Sequence, residues 1–137
     1  MRKLLFVDTG LGGYLAGRTA AKVARDPALS GQLLENFALS ELARQLGWAT
    51  EPARLYHYRN RDGREVDGVL EANDGRIVGI QVKSSATITS DDFRHLEHLM
   101  GAVPTRFHCG IVLYTGTKIL PFGPRLLAAP LDALWRS

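Results

Sequence analysis

The chain has 137 residues, 45% of them hydrophobic and 23% charged, and 17 Lys plus Arg against 14 Asp plus Glu leave a formal net charge of +3. One core of useful size fits this length, so disorder and a disulfide scaffold are excluded, and the single Cys109 suits a reducing compartment. No apolar run approaches the ~20 residues a bilayer needs, and the run after Met1-Arg2-Lys3 stops at Asp8, too early for a signal peptide, so a cytoplasmic chain without membrane contact is expected.

Residues 1–29 read as a helical lead-in, with Ala/Leu-rich pieces at Thr9–Ala16 and Thr19–Arg25, and residues 30–137 as the main domain. Ser30 is a good N-cap, and Leu33, Leu34, Phe37, Ala38, Leu42 and Leu46 then recur at helical spacing up to Gly47. After Pro52 the period changes to two. Strands are expected at Arg54–Arg59, Glu65–Glu71 and Arg76–Lys83, separated by turns at Asn60–Gly63 and Asn73–Gly75. Ser90 caps a second helix with Asp91 and Asp92 in its first turn, Phe93, Leu96 and Leu99 inward, and Gly101 just past its end. Phe107–Tyr114 is a buried strand, and a strand, helix and strand in succession imply a parallel pair. The proline-bearing tail Ile119–Trp135 reads as an edge strand and a short closing helix. The class is α/β with a mixed sheet, in the order helix, three antiparallel strands, helix, strand, strand.

The second hairpin carries the chemistry. A three-residue loop at Asn73-Asp74-Gly75 pairs Ala72 with Arg76, which sets Asp67 opposite Gln81 and Glu65 opposite Lys83, with Asp67, Gln81 and Lys83 on one face. On the same arithmetic Val69 shares that face, and Val66 and Leu70 take the other. On the long helix Glu35 lies at the margin of the apolar stripe and can be brought to this sheet. Acidic oxygens, an amide oxygen and a lysine so gathered resemble a Mg²⁺-dependent phosphodiesterase site, because Mg²⁺ prefers oxygen donors and takes one or two carboxylates plus substrate phosphate. Asp67 and Gln81 would supply oxygens, Lys83 would hold or polarise the attacking water, and Glu35 would orient metal-bound water or help to hold a second ion. Arg54, Arg59, Arg61 and Arg64 around the first hairpin turn could reach DNA phosphates beside the site. The plainer reading of Lys83 is a solvated ion pair with Glu65 across the hairpin.

Read in order, Glu35, Asp67 and Gln81-Val82-Lys83 resemble the active-site pattern of the PD-(D/E)XK nuclease superfamily. Nearly the whole chain is similar to the C-terminal domain that follows an AAA+ ATPase domain in a prokaryotic ATPase family. The matching stretches are Phe6–Leu11, Leu34–Phe37, Tyr58-Arg59 with Asp62-Gly63, Glu65–Asp67, Gln81–Ser85 and Gly110–Tyr114. The resemblance implies a restriction-endonuclease-like fold with Glu35, Asp67 and Lys83 at the site positions, Mg²⁺ or Mn²⁺ as cofactor, and DNA and an AAA+ ATPase as partners. The acid usual before Val-Lys is Gln81 here. At ~4 Å and an effective dielectric near 20 each unit charge pair is worth about 4 kcal/mol, so the amide keeps the oxygen but weakens the hold on a dication. The alternative reading is an inactive interaction or assembly module, bound to the ATPase or to a second copy of the chain.

Other motifs carry less. Gly12–Thr19 has the glycine spacing of a phosphate loop but Arg18 in place of lysine and bulky Tyr14 and Leu15 inside it, and Asp8-Thr9-Gly10 lacks the second aspartate-bearing loop of an aspartic protease. His95 and His98 read as a solvated helix face and Cys109 as an inert core thiol.

Overall fold

The computed structural model describes residues 27–46 and 52–135; the expected lead-in helices, the phosphate-loop look-alike and the Asp-Thr-Gly triplet lie outside the described residues. The first helix, α1, spans Pro27–Leu46 and so begins three residues before the expected Ser30 cap. Proline is well placed there, since its missing N–H is one that the first helical turn leaves unbonded anyway. Leu34 and Ala38 are fully buried on its inner face. Three strands follow: β1 (Ala53–Arg59), β2 (Glu65–Ala72) and β3 (Ile77–Val82).

The next element starts differently from its sequence signal. Thr89, not Ser90, is the cap of a 3-10 turn at Ser90–Phe93, and the Asp92 carboxylate accepts the Thr89 N–H at 2.8 Å. This turn leads into α2 (Arg94–Ala102), which runs through the expected stop at Gly101 and closes with the Val103 N–H on the Leu99 carbonyl. Strand β4 is Phe107–Tyr114, as its apolar run predicts. The tail departs from expectation: Gly123 at positive φ and Pro124 fold it into two strands, β5 (Leu120–Gly123) and β6 (Leu126–Pro130), before a closing 3-10 turn at Leu131–Trp135.

Among the described residues the sheet has six strands in the order β1-β2-β3-β4-β6-β5, with β3–β4 and β4–β6 parallel and the other pairs antiparallel. The helices cover opposite faces. Phe93, Leu96 and Leu99 of the α2 layer pack on Val66, Val69, Ile77 and Val112, whereas Leu34 and Ala38 of α1 pack on Ile80, Leu113, Ala129 and Leu131. Neighbours in one strand, such as Val112 and Leu113, serve opposite cores, as alternation requires. A buried polar tie adds to the α1 side: Glu41, with no exposed surface, is bonded by Arg44 and Gln45, and Gln45 also reaches the Leu134 carbonyl.

Two glycines let α2 sit close. Gly79 of β3 and Gly110 of β4 are register partners beneath Leu96; a Cβ on Gly79 would stand 2.6 Å from Leu96 Cδ2, and one on Gly110 3.3 Å from Leu96 Cβ. Because Leu96 is fully buried, it has no free volume into which to retreat. Gly79→Ala should therefore lower the unfolding free energy by about 1–3 kcal/mol, read as a lower urea midpoint with unchanged slope.

Candidate functional site

The second hairpin has the register the sequence arithmetic gives. Gly75 has φ of 93°, the Ala72 N–H bonds the Arg76 carbonyl at 2.9 Å, and Glu71, Leu70, Val69 and Gly68 pair with Ile77, Val78, Gly79 and Ile80. Beyond Gly68 side chains replace the ladder. The Asp67 N–H donates to Gln81 Oε1 at 2.8 Å, the Val82 N–H donates to Asp67 Oδ2 at 2.8 Å, and Gln81 Nε2 donates to the Glu65 carbonyl at 3.3 Å. A buried N–H left without an acceptor costs about 1–3 kcal/mol, so these contacts allow β2 and β3 to part without that penalty.

A bulge accompanies the parting. Tyr56 pairs with Val69 and Tyr58 with Val66, so Asp67 and Gly68 together oppose His57. The extra residue shifts the alternation, and Val66 joins Val69 in the α2-side core rather than lying on the other face with Leu70, as strict period two would have it. Gly68 has a second role. A Cβ there would stand 2.9 Å from Leu39 Cδ2, so its absence brings α1 down onto the bulge, while Gly31 near the other end of the helix lies beside Ser84. Glu35, midway between Gly31 and Leu39 on one face of α1, is thereby delivered to the gap.

The gap is a cleft of about 520 Å³ lined by Glu35, Glu65, Asp67, Gln81, Lys83, Asp92 and His95, with Gly63 of the first hairpin turn also at its wall. Glu35, Asp67, Gln81 and Lys83, singled out from the sequence, thus meet around one cavity. Their partners differ from the simplest expectation. Lys83 Nζ lies 2.7 Å from Asp92 Oδ2, not on Glu65: the β2–β3 ladder ends at Gly68 and Ile80, so Glu65 and Lys83 are not register partners, and the Lys83 N–H bonds the Leu113 carbonyl of β4. Glu65 is held by Arg59 at 2.6 Å and lies 3.5 Å from His57.

Burial pushes the Asp67 carboxyl above the usual aspartate range, against the opposing Val82 N–H, and the Glu65 charge adds to the rise; the imidazoles of His57 and His95 oppose it only when protonated. Burial also acts to raise Asp92, but the Lys83 ammonium and the Thr89 N–H outweigh it and hold Asp92 below that range.

The histidines are not a solvated face. His95 Nδ1 is 2.8 Å from the Glu65 carbonyl oxygen and its ring lines the cleft, while His98 meets Asn60 Nδ2 at 2.9 Å and Arg64 Nη1 at 2.8 Å. These contacts dock the first hairpin turn on α2. Of the four arginines, Arg59, Arg61 and Arg64 flank or form that turn, whose Gly63 lies at the cleft wall, with Arg59 paired to Glu65 and Arg64 to His98. Arg54 does not. The register pairs it with Glu71 at the far end of β1, where it shares that carboxylate with Arg106. Cys109 is half-buried rather than in the core, and burial pushes its thiol up.

The sequence reading missed Asp92, Glu65, His95 and His57 as neighbours of Asp67. The signal for Asp92 was present: Gln81 and Lys83 share the face that α2 covers, and Asp92 stands at the start of that layer. The donors suit a hard cation that keeps its waters, with Asp67 and Glu35 as carboxylates, since Gln81 Oε1 already accepts the Asp67 N–H. Among the described residues no group of three or more His, Cys, Asp or Glu is placed to hold a metal ion. Among them too, no helix is long and apolar enough to cross a membrane.

The fold and the cleft define an α/β domain with a mixed six-stranded sheet between two helices, opened at one strand end into a pocket of acids, a lysine and a histidine. The family described as Domain of unknown function (DUF4143) matches residues 30–134, and the chain belongs to that family. No curated protein matches it. Among solved structures, the fold is similar to a chain of the refined half-complex from a tetradecameric assembly of Thermococcus gammatolerans McrB AAA+ hexamers with bound McrC, at 14% identity and a TM-score of 0.54. That match covers 77% of this chain but 31% of the other, so this chain spans about a third of its solved neighbour, and the likeness is one of fold.

The raised Asp67 carboxyl has a consequence for stability. Its folded state holds the proton to higher pH than the unfolded state, so charging it opposes folding above the folded value, and that opposition disappears below the ordinary value of 3.8. Asp67→Asn, whose amide oxygen can still accept the Val82 N–H, should raise the melting temperature at neutral pH, and the gain should shrink to nothing as the pH falls below 3.8. Thermal melts of both proteins across pH check this.

Proposed function

We propose that the cleft is a phosphodiester site of the PD-(D/E)XK nuclease type, in a restriction-endonuclease-like sheet, that it acts on DNA with Mg²⁺, and that the domain works beside an AAA+ ATPase. One observation carries the reading: Glu35 from α1, Asp67 from β2, and Gln81 and Lys83 from the end of β3 converge on a single cavity that contains a desolvated carboxylate. The fold shared with a chain from an assembly of AAA+ hexamers with bound McrC supports the pairing with an ATPase.

Mg²⁺, when bound, supplies an acidified water and neutralises charge on the phosphate. The chain's own residues do the rest. Asp67 and Glu35 offer carboxylate oxygens to the cation, and Gln81 holds the strand ends apart so that Asp67 faces the cavity. Lys83, fixed by Asp92, sets a positive charge against the phosphate oxygens. Arg59, Arg61 and Arg64 around the first hairpin turn meet the flanking backbone of the DNA, for which each neutralised phosphate steepens the salt dependence by about 0.9 in log affinity per log salt.

A second reading, an assembly module that binds the ATPase or another copy of the chain, is favoured by one contact: Gln81 Oε1 is taken by the Asp67 N–H. The two separate experimentally. On the nuclease reading, supercoiled plasmid is nicked in Mg²⁺ or Mn²⁺, and the nicking is lost in Asp67→Ala and Lys83→Ala. On the assembly reading, calorimetry finds no Mn²⁺ binding and mass rises with concentration. Gln81→Glu is informative on its own. It should tighten Mn²⁺ binding by adding a charge, yet cost about 1–3 kcal/mol of metal-free stability, because the new oxygen confronts the Glu65 carbonyl that Gln81 Nε2 now bonds.

A further inference from the structure

Two bases line the cleft, and their situations differ. The Lys83 ammonium is ion-paired with Asp92 at 2.7 Å, and Asp92 is in turn fixed by the Thr89 N–H at 2.8 Å, so the lysine is a held cation. His95 reaches the same cavity from α2 with its Nδ1 2.8 Å from the Glu65 carbonyl oxygen. The Glu65 N–H also lies 3.3 Å from Nδ1, but the carbonyl is nearer and only accepts, so the shorter contact favours the neutral ring with its proton on Nδ1. Nε2 is then a bare acceptor, and no group among the described residues bonds it. The same carbonyl accepts Gln81 Nε2, whose own oxygen holds the Asp67 N–H, so the imidazole is tied to the Asp67 carboxylate's position through one chain of bonds. A ring held at one nitrogen by a backbone carbonyl, in a residue that lines the cleft, leaves the other nitrogen able to serve as a general base.

We propose that His95 is a catalytic residue of this cleft, its Nε2 accepting the proton of the water that attacks the phosphodiester, while Lys83 serves as a fixed cation. The inference rests on the phosphodiesterase reading above. In the step, the water oxygen forms a bond to phosphorus as its proton passes to Nε2. The bond from phosphorus to the leaving oxygen breaks on the far side, that oxygen takes any proton it needs from solvent, and the imidazolium gives its proton back to solvent, which restores the neutral ring.

The test uses the full chain and His95→Asn, because the asparagine amide nitrogen overlays Nδ1 and keeps the bond to Glu65 while Nε2 is removed. With Mn²⁺ and bis(4-nitrophenyl) phosphate, His95→Asn should lose about 10²- to 10⁴-fold in kcat with KM and melting temperature little changed. A purely structural His95 would leave this variant at the wild-type rate, which overturns the proposal. Nitrogen NMR of the imidazole in metal-free wild type gives a readout without activity: Nδ1–H with bare Nε2 is expected, and an Nε2–H tautomer overturns the role. Asp67→Asn separates the two claims. If wild type and Asp67→Asn are equally inert, the phosphodiesterase reading fails and the role of His95 with it. If wild type turns over, Asp67→Asn does not, and His95→Asn matches wild type, only the claim for His95 falls.

Discussion

The structure depends on how the ladder between β2 and β3 ends. After Gly68 and Ile80 the two strands no longer exchange backbone hydrogen bonds, and the amides of Asp67 and Val82 bond side chains instead. An opening in the middle of a sheet would normally strand buried amides, because a central strand has no water at its flank. Here the side chains of Gln81 and Asp67 each satisfy an amide on the opposite strand. The cleft is thus a consequence of a hydrogen-bond exchange, and the residues that make the exchange are the ones with chemistry to offer.

The packing on either side enforces the same opening. Gly79 and Gly110 form a trough for Leu96 that draws α2 onto one face, and Gly68 admits Leu39 of α1 on the other. Both helices therefore approach close to the strand end, one carrying Glu35 and the other Asp92 and His95. The opening must be fixed before these groups can share a cavity, since a ladder continued to Glu65 and Lys83 would fill it with paired backbone. Close packing at glycine and side-chain pairing at the cleft are in this sense a single design.

Much of this was legible in the sequence because it rests on short-range rules. The loop Asn73–Gly75 fixes the register by its length, and the register fixes which residues of β2 and β3 are neighbours. Alternation and helical spacing place Glu35, Asp67, Gln81 and Lys83 within reach of each other. What escaped depends on contacts between distant segments. The bulge at Asp67 and Gly68 is set by β1, whose pairing no local pattern announces, and it reverses the face of Val66. Lys83 meets Asp92 rather than Glu65 where the β2–β3 ladder has ended and its backbone follows β4, a parallel pairing across a helix. The tail became two strands because Gly123 and Pro124 make a turn that the proline count alone reads as a break.

Gln81 shows how a single residue answers two demands. A carboxylate at this position could accept the Asp67 N–H but would set a second oxygen against the Glu65 carbonyl, where the amide donates. It would also add a negative charge to a cleft that already holds Glu35, Glu65, Asp67 and Asp92, with Lys83 paired to Asp92 and Arg59 to Glu65. Near 4 Å and an effective dielectric of about 20 each like-charge pair costs on the order of 4 kcal/mol, the same magnitude by which that charge would strengthen the hold on a dication. The amide therefore favours the metal-free fold and the acid favours the loaded site. With the acid absent, a cation at the proposed site would rely on Asp67 and Glu35, and on the proposed reading a proton acceptor that needs no cation to hold it in place, such as the imidazole on the Glu65 carbonyl, would become more important.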